Sequence, residues 1–279
     1  MTALRQILVH LDATAATPER LRVARRIADQ HRAELAALYA VTPSFVELPY
    51  GPEFGPVLAE SLVQIDEERR DRVLKAFDKE MTQPGTMATW TQTEDIPTAG
   101  AMAQQAIHAD LLVLGQGNRE DEAARGVPPD FVESTLLASG RPGLVLPYVG
   151  WPRAIGQTIA IAWKETRESA RAVQAAIPFL QRAAQVHVLA WNEQGPLRLG
   201  GRGLDLESYL RVHGVKATFH HEGEAPPRLG EMLLSRVFDL GADLLVMGCY
   251  GHGRAREWVL GGVSRTLLAS MTLPVLMAH

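Results

Sequence analysis

The chain has 279 residues, of which 46% are hydrophobic, and it carries 28 Lys and Arg against 32 Asp and Glu. This length predicts two domains of ordinary size. The net charge of −4 argues against general binding of nucleic acid or of an anionic membrane. No segment approaches the roughly 18 apolar residues that span a bilayer, and the N-terminus is unlike a signal peptide. The single cysteine, Cys249, cannot form an intramolecular disulfide. We therefore expect a cytoplasmic globular protein.

The two halves of the chain are copies of one pattern. In chain order, residues 7–11 match 159–163, residues 109–115 match 242–248, residues 135–139 match 266–270, and residues 143–147 match 273–277. Four matches in the same order predict two tandem domains, 1–149 and 150–279, with the boundary near the Gly/Pro interruption at 148–152. The first copy has 19 more residues between its matched strands, and we place the insertion in the Pro- and Gly-rich segment 43–60.

Strand-like and helix-like segments alternate along the second copy. Its first helix carries an apolar stripe of Ala170, Val173, Ile177 and Leu180 at helical spacing. The alternation predicts an α/β fold in each copy, an open and mostly parallel five-stranded sheet with helices on both faces, doubly wound and Rossmann-like. The predicted strands are 158–163, 186–191, 215–220, 244–247 and 274–278, and the predicted helices are 167–182, 204–213, 228–240 and 262–270.

A glycine-rich segment follows the strand at 244–247. Ligands of open α/β sheets bind beyond the carboxyl ends of strands, near a topological switch point. Glycines let backbone amides approach an anion, and a helix start offers N–H groups and a positive dipole end. The segment therefore predicts a phosphate cradle, and the alternative is a structural glycine turn with solvated arginines. Its residues are Met247, Gly248, Gly251, His252, Gly253, Arg254, Arg256, Gly261, Gly262, Val263 and Ser264.

The repeat resembles the universal stress protein family over essentially all of both halves. Nucleotide-binding members of that family carry Gly-x2-Gly-x9-Gly-(Ser/Thr) after the fourth strand. Here Gly248, Gly251 and Gly261 match that spacing, whereas Gly262 replaces the Ser or Thr. The resemblance implies ATP or another adenine nucleotide as ligand, with Mg²⁺ only if ATP is bound. Because Gly262 has no hydroxyl, the phosphates would have to be bound mainly by backbone amides and by Ser264.

The resemblance also implies an Asp after the first strand, associated with the adenosine part of the nucleotide. Asp12 fills that position in the first half, whereas Lys164 fills it in the second. The phosphate turn of the first half is degenerate, because Asn118 stands where the second glycine belongs. Residues 1–149 carry a net charge of −7 and residues 150–279 a net charge of +3, so the second half is the better nucleotide candidate.

Two further residues belong to the predicted nucleotide site. Lys164 either contacts a phosphate or ribose oxygen or is a solvated lysine at a strand end. Trp191 follows the second strand of its half, where the family backbone meets adenine, and it either stacks on the base or packs in the fold.

Several other residues have side chains that could react or bind a metal, but they are interpreted as structural. Cys249 is interpreted as a small residue at a tight turn, with redox sensitivity as the alternative. His220 and His221 are too isolated to predict a metal site, and the alternative is a weak adventitious site with Glu222 and Glu224, which follow them. Asp110 and Asp243 precede the fourth strand of each half and are predicted to be caps or turn residues rather than catalytic acids.

We therefore predict a stress-linked regulator that binds an adenine nucleotide in its second half. No catalytic residue is assigned, because the nucleophile elbow, the Walker motif and the H-E-x-x-H motif are all absent from the sequence. The alternatives are an interaction module that binds no nucleotide, with both sites decayed, and a weak ATPase. Expected partners are the nucleotide and an unidentified protein. The resemblance also implies an intramolecular pseudo-dimer, in which 144–147 pairs with 275–278, and a homodimer is the default expectation for further association.

Overall fold

The computed structural model describes residues 4–46, 56–118, 120–149, 154–192, 204–249 and 262–279. The chain divides into two compact units, one ending at Tyr148 and the other beginning at Val149. We call the residues up to Tyr148 unit 1 and those from Val149 onward unit 2. None of the described helices is long and apolar enough to cross a membrane.

Unit 1 is a parallel sheet with helices between its strands. The strands are β1 Gln6–Leu11, β2 Glu34–Ala40, β3 Ala88–Thr93, β4 Leu111–Gly115 and β5 Gly143–Leu146, and the helices are α1 Thr17–His31, α2 Pro56–Met81, α3 Thr98–Ala106 and α4 Phe131–Ser139. Short 3-10 helices lie at Ser44–Val46 and Glu122–Ala124. The strand order is β3-β2-β1-β4-β5, and every neighbouring pair is parallel.

Unit 2 repeats this arrangement. Its strands are β6 Thr158–Trp163, β7 Gln185–Asn192, β8 Thr218–Glu224, β9 Leu244–Gly248 and β10 Val275–Ala278, and its helices are α5 Arg167–Leu180, α6 Leu206–Val212, α7 Leu229–Asp239 and α8 Gly262–Ser270. The order is β8-β7-β6-β9-β10, again with parallel neighbours. The predicted α/β fold, with five parallel strands in each copy, is confirmed.

Corresponding residues of the two units can be paired from strand register and burial. Ile7 pairs with Leu111 across β1 and β4, as Ile159 pairs with Leu244 across β6 and β9. The buried positions of α1 recur in α5 at the same spacing from these strands, so Arg20 corresponds to Ala172. In the same way, the residue after the first strand is Asp12 in unit 1 and Lys164 in unit 2, and the first residue of the last helix is Phe131 in unit 1 and Gly262 in unit 2.

The insertion of the first copy was predicted in the segment 43–60, and that placement was wrong for most of its length, because α2 is longer than α6 by 19 residues, the full difference between the two copies. Residues 47–55 lie outside the described residues, but residues 56–60 begin the 26-residue helix α2, whereas the matching α6 has 7 residues. Proline is tolerated at the first helical position, because its missing N–H would have no partner there, so Pro56 starts the helix.

The prediction for β8 was wrong in its limits. The strand runs from Thr218 to Glu224 rather than over 215–220. It is the edge strand of unit 2 and its residues are half-buried or exposed, so polar residues are tolerated along it and the apolar pattern does not mark its ends. Its pairing with β7 is interrupted by an irregularity between Ala190 and Asn192.

Two aspartates fix the amino ends of corresponding strands. Asp110 accepts hydrogen bonds from the backbone N–H groups of Arg5 (2.7 Å) and Gln6 (3.0 Å). Asp243 accepts from Gly156 (2.8 Å) and from the two residues that follow it. Their prediction as turn residues is confirmed, and both lie at the edge of the sheet opposite the candidate ligand site.

Candidate functional site

Each unit has a topological switch point at the carboxyl end of its first strand. From β1 the chain builds outward through β2 and β3 and then returns to add β4 and β5 on the other side. The crevice between the carboxyl ends of β1 and β4 in unit 1, and of β6 and β9 in unit 2, is where open α/β sheets bind ligands. In the first crevice, Asp12 directly follows β1 and Gly115 is the last residue of β4. In the second, Lys164 directly follows β6 and Gly248 is the last residue of β9.

Gly248 lies where the start of α5 meets the end of β9. A Cβ built at this glycine would lie 2.5 Å from the backbone nitrogen of Ser169 and 2.6 Å from the carbonyl carbon of Glu168. No larger residue fits without moving the helix, so close packing alone accounts for this glycine. The neighbouring Cys249 is buried, and its N–H donates to the carbonyl of Ala278 at 2.9 Å.

The start of α5 brings a carboxylate close to Gly248. Thr166 caps the helix by accepting from the Ser169 N–H at 3.3 Å. Glu168 is buried and accepts a hydrogen bond from the Arg167 side chain. Burial opposes ionisation of Glu168, but the Arg167 contact and local hydrogen bonds lower its pKa overall. Sequence reasoning missed this ion pair, which places a neutralised carboxylate beside the predicted phosphate turn.

The start of α8 is the most open part of the described crevice. Gly262 is exposed, and among the described residues no heavy atom lies within 4 Å of a Cβ built on it. Val263 is half-buried and Ser264 is buried. The first N–H groups of a helix have no partner within the helix. The backbone amides at Gly262 are therefore better placed than the Ser264 hydroxyl to meet a ligand.

The other predicted residues are distributed along the same edge. Met247 is buried in β9, Lys164 is exposed directly after β6, and Trp191 is half-buried near the end of β7. Because Trp163 pairs with Ala190, Lys164 and Trp191 lie at the same level of the sheet. The remaining predicted site residues, Gly251, His252, Gly253, Arg254, Arg256 and Gly261, lie outside the described residues.

In unit 1 the corresponding crevice is filled by side chains. Arg20, Asp12 and His10 are all buried, at 1%, 4% and 1% of their full exposure. Arg20 Nη2 donates to Asp12 Oδ2 at 2.9 Å and to Thr17 Oγ1 at 2.7 Å. The Thr17 hydroxyl also lies 2.7 Å from Asp12 Oδ1, which accepts from the Thr14 N–H at 2.9 Å. Burial opposes ionisation of Asp12, but Arg20 and these hydrogen bonds hold its pKa well below its usual range.

His10 completes this cluster as a neutral imidazole. Its Nε2 lies 2.8 Å from the carbonyl oxygen of Ala40, which can only accept, so Nε2 carries the hydrogen. Its Nδ1 is then the acceptor that faces Arg20 Nη1 at 3.5 Å. Burial lowers the pKa of His10 to about 4, and the Arg20 charge acts in the same direction. The ring packs against Phe131 with a centroid distance of 4.3 Å.

Unit 2 has small residues at the positions of these side chains. Ala162, Ala172 and Gly262 correspond to His10, Arg20 and Phe131. Sequence reasoning singled out Asp12 but missed the other three. The pair of His10 and Ala162 lies within the matched segments, and extending the alignment would also have placed Arg20 opposite Ala172 and Phe131 opposite Gly262.

A histidine pair lies elsewhere in unit 2. His187 Nδ1 and His220 Nε2 are 3.1 Å apart on adjacent strands β7 and β8. Burial, and then the charge of His220, lower the pKa of His187. Within the described ranges no group of three His, Cys, Asp or Glu side chains is close enough to hold a metal ion.

Comparison with known proteins finds one family model that matches the second half of the chain. Residues 157–279 match the family model described as Universal stress protein family. A universal stress protein from Archaeoglobus fulgidus DSM 4304 has a similar structure, with a TM-score of 0.66 at 14% identity, covering 98% of this chain and 95% of that chain. A functionally unknown protein from Pseudomonas aeruginosa PAO1 has a TM-score of 0.60 at 15% identity, covering 98% and 92%. No curated protein matches the chain.

Proposed function

Because residues 157–279 match the universal stress protein family model and nearly the whole chain has a fold similar to that of a universal stress protein, we propose that unit 2 binds ATP or a related adenine nucleotide. The protein acts as a stress-linked sensor or regulator in the cytoplasm rather than as a dedicated enzyme. Its catalytic activity is at most a slow hydrolysis of ATP. The observation that carries the proposal is the open start of α8 at Gly262, beside the end of β9 at the switch point of unit 2.

The chemistry of this edge suits a nucleotide. The amides at the start of the nine-residue helix α8 hold the phosphates, since a helix N-terminus presents N–H groups and positive potential. Lys164 meets a phosphate or ribose oxygen, and Trp191 stacks on the base. Mg²⁺ enters only with ATP. The net charge of +3 on residues 150–279 favours an anionic ligand, and the Arg167 contact neutralises the Glu168 carboxylate nearby.

The test replaces Gly262 of unit 2 by phenylalanine, the residue that unit 1 has at the corresponding position 131. Titrating purified protein with ATP is expected to show binding by the wild type and by Gly262→Ala, because nothing described occupies the space of a Cβ there. Gly262→Phe places a ring over the helix start and is expected to weaken binding at least about tenfold, equivalent to about 1.4 kcal/mol. Gly262→Ser returns a hydroxyl and is expected to tighten binding. Equal affinity in all four proteins would contradict the site.

The second candidate is an interaction module that binds no nucleotide. It is favoured by the burial of Ser264 and by Lys164 in the place of the family Asp. Mass spectrometry of small molecules that co-purify with the protein distinguishes the two, together with a thermal shift at millimolar ATP. A nucleotide-free protein without a thermal shift would favour the interaction module. An unidentified protein partner, the pseudo-dimer of the two halves and a homodimer remain proposals.

A further inference from the structure

We propose that unit 1 is closed to nucleotides by its own side chains, with the guanidinium of Arg20 acting as a permanent internal ligand in the crevice between the carboxyl ends of β1 and β4. His10 and Phe131 complete this plug. The location of the crevice rests on the function proposed for unit 2, whereas the filling of the crevice rests on contacts within unit 1.

The first step concerns the acceptors of Asp12. One carboxylate oxygen receives Arg20 Nη2, and the other receives the Thr14 N–H and lies 2.7 Å from the Thr17 hydroxyl. The carboxylate is also buried. Asp12 therefore occupies the position that the resemblance associates with adenosine. Both of its carboxylate oxygens accept hydrogen bonds from protein groups instead of from a ribose hydroxyl.

The second step concerns space at the end of β4. Arg20 lies so close over Gly115 that a Cβ built there would be 2.3 Å from Nη1 and 2.9 Å from Cζ. At the end of β9 in unit 2, the backbone of α5 approaches Gly248 instead, and Ala172 stands at the position of Arg20. The guanidinium thus fills unit 1 at the point where the two central strands end.

The third step concerns the start of α4. Phe131 is its first residue, is buried, and packs against the ring of His10. In unit 2 the first helical residue is the exposed Gly262, and Ala162 replaces His10. An aromatic pair therefore covers in unit 1 the helix start that is open in unit 2. The consequence is one nucleotide site per chain.

The first experiment locates bound nucleotide. Full-length protein is photolabelled with 8-azido-ATP, digested, and the labelled peptides are identified by mass spectrometry. Labelling is expected on peptides of unit 2 alone, and in Gly262→Phe it is expected to disappear rather than move to unit 1. Labelling of peptides around Asp12 and Gly115, blocked by excess ATP, would overturn the closure of unit 1.

The second experiment does not depend on nucleotide binding. Arg20→Ala removes the internal ligand, and millimolar methylguanidinium is expected to raise its Tm by about 3–6 °C at ten times the dissociation constant. The wild type and the control Arg228→Ala, whose arginine is exposed in a pair with Glu231, are expected to show no rise. If Arg20→Ala does not fold, Arg20→Gln tests the same point. A folded variant with no selective rise in Tm would overturn the proposal, even if unit 2 binds ATP as proposed.

Discussion

The guanidinium of Arg20 and the carboxylate of Asp12 form a 2.9 Å ion pair that is buried inside unit 1. Removing two charges from water costs several kcal/mol each, and the cost is recovered only when both ions are well paired and hydrogen-bonded. Thr14 and Thr17 supply such bonds to Asp12. Among the described residues the Nε of Arg20 has no hydrogen-bond partner, so the arginine depends on its contacts through Nη1 and Nη2.

Breaking this pair from either side is expected to destabilise unit 1 strongly. Asp12→Asn and Arg20→Met each leave a buried charge without its partner, and each should lower the free energy of unfolding by about 3–5 kcal/mol. The double variant leaves no buried charge and should lose less than the sum of the two. Hydrogen exchange of β1 and β4 peptides, read by mass spectrometry, measures the loss within unit 1.

The exposed pair of Arg228 and Glu231 provides the control for this cycle. Arg228→Ala should change stability by no more than about 1 kcal/mol, since surface ion pairs contribute little. Single variants of the buried pair that resemble this control would show that the Arg20–Asp12 contact does not support unit 1.

The fold could be predicted from the sequence because it depends on patterns that lie along the chain. The apolar segments 111–114 and 244–247 mark central strands, and the repeat gives the same architecture twice. The plug of unit 1 could not be predicted in this way. An arginine such as Arg20, adjacent to an apolar helix stripe, is ordinarily solvated, and it is buried here only because Asp12, on the segment after β1, supplies its counter-charge. The open start of α8 also depends on which side chains fold around Gly262.

The stability of unit 1 should depend on pH through His10. Burial, with the Arg20 charge, lowers its pKa to about 4, whereas the unfolded residue titrates near 6.5. Between these two pKa values His10 is protonated in the unfolded chain and neutral in the folded unit. The contribution is therefore fully present above pH 6.5 and is lost as the pH falls toward 4. At pH 5 the loss should be about 2 kcal/mol.

His10→Gln removes this titration, because glutamine keeps an N–H donor for the Ala40 carbonyl and gains no proton between pH 7 and 5. Hydrogen exchange of β1 peptides at pH 7 and pH 5 should show a smaller loss of stability in this variant than in the wild type. The control is His108→Gln, at an exposed position, which should keep the wild-type pH dependence. Identical losses in His10→Gln and the wild type would assign the pH dependence to other groups.

Gly248→Ala is expected to destabilise unit 2 by about 1–3 kcal/mol. Its methyl group would meet the backbone of α5 at 2.5 Å, so the helix start has to move, and overpacking of this kind has that cost. Gly117→Ala is the matched control, since no atom of the described residues lies within 4 Å of a Cβ built there, and its effect should stay within about 0.5 kcal/mol. Thermal unfolding compares the two variants, and similar Tm values would show that the contact between β9 and α5 is not tight.

Asp243 should tolerate replacement by asparagine better than by alanine. Its carboxylate accepts from the N–H groups of Gly156, Gln157 and Thr158, yet burial raises its pKa above the usual value, so the negative charge is itself unfavourable in the folded state. Asparagine keeps the oxygen that accepts from all three N–H groups, but its NH2 group replaces the second oxygen, which accepts from the Gln157 N–H at 3.0 Å, so Asp243→Asn should cost about 1 kcal/mol at pH 7. Asp243→Ala leaves backbone donors unpaired and should cost about 1–3 kcal/mol. Asp110→Ala should cost less, because that aspartate is exposed and water can replace it. Urea unfolding at pH 7 ranks the three variants, and an equal loss for Asp243→Asn and Asp243→Ala would show that the charge itself stabilises the start of β6.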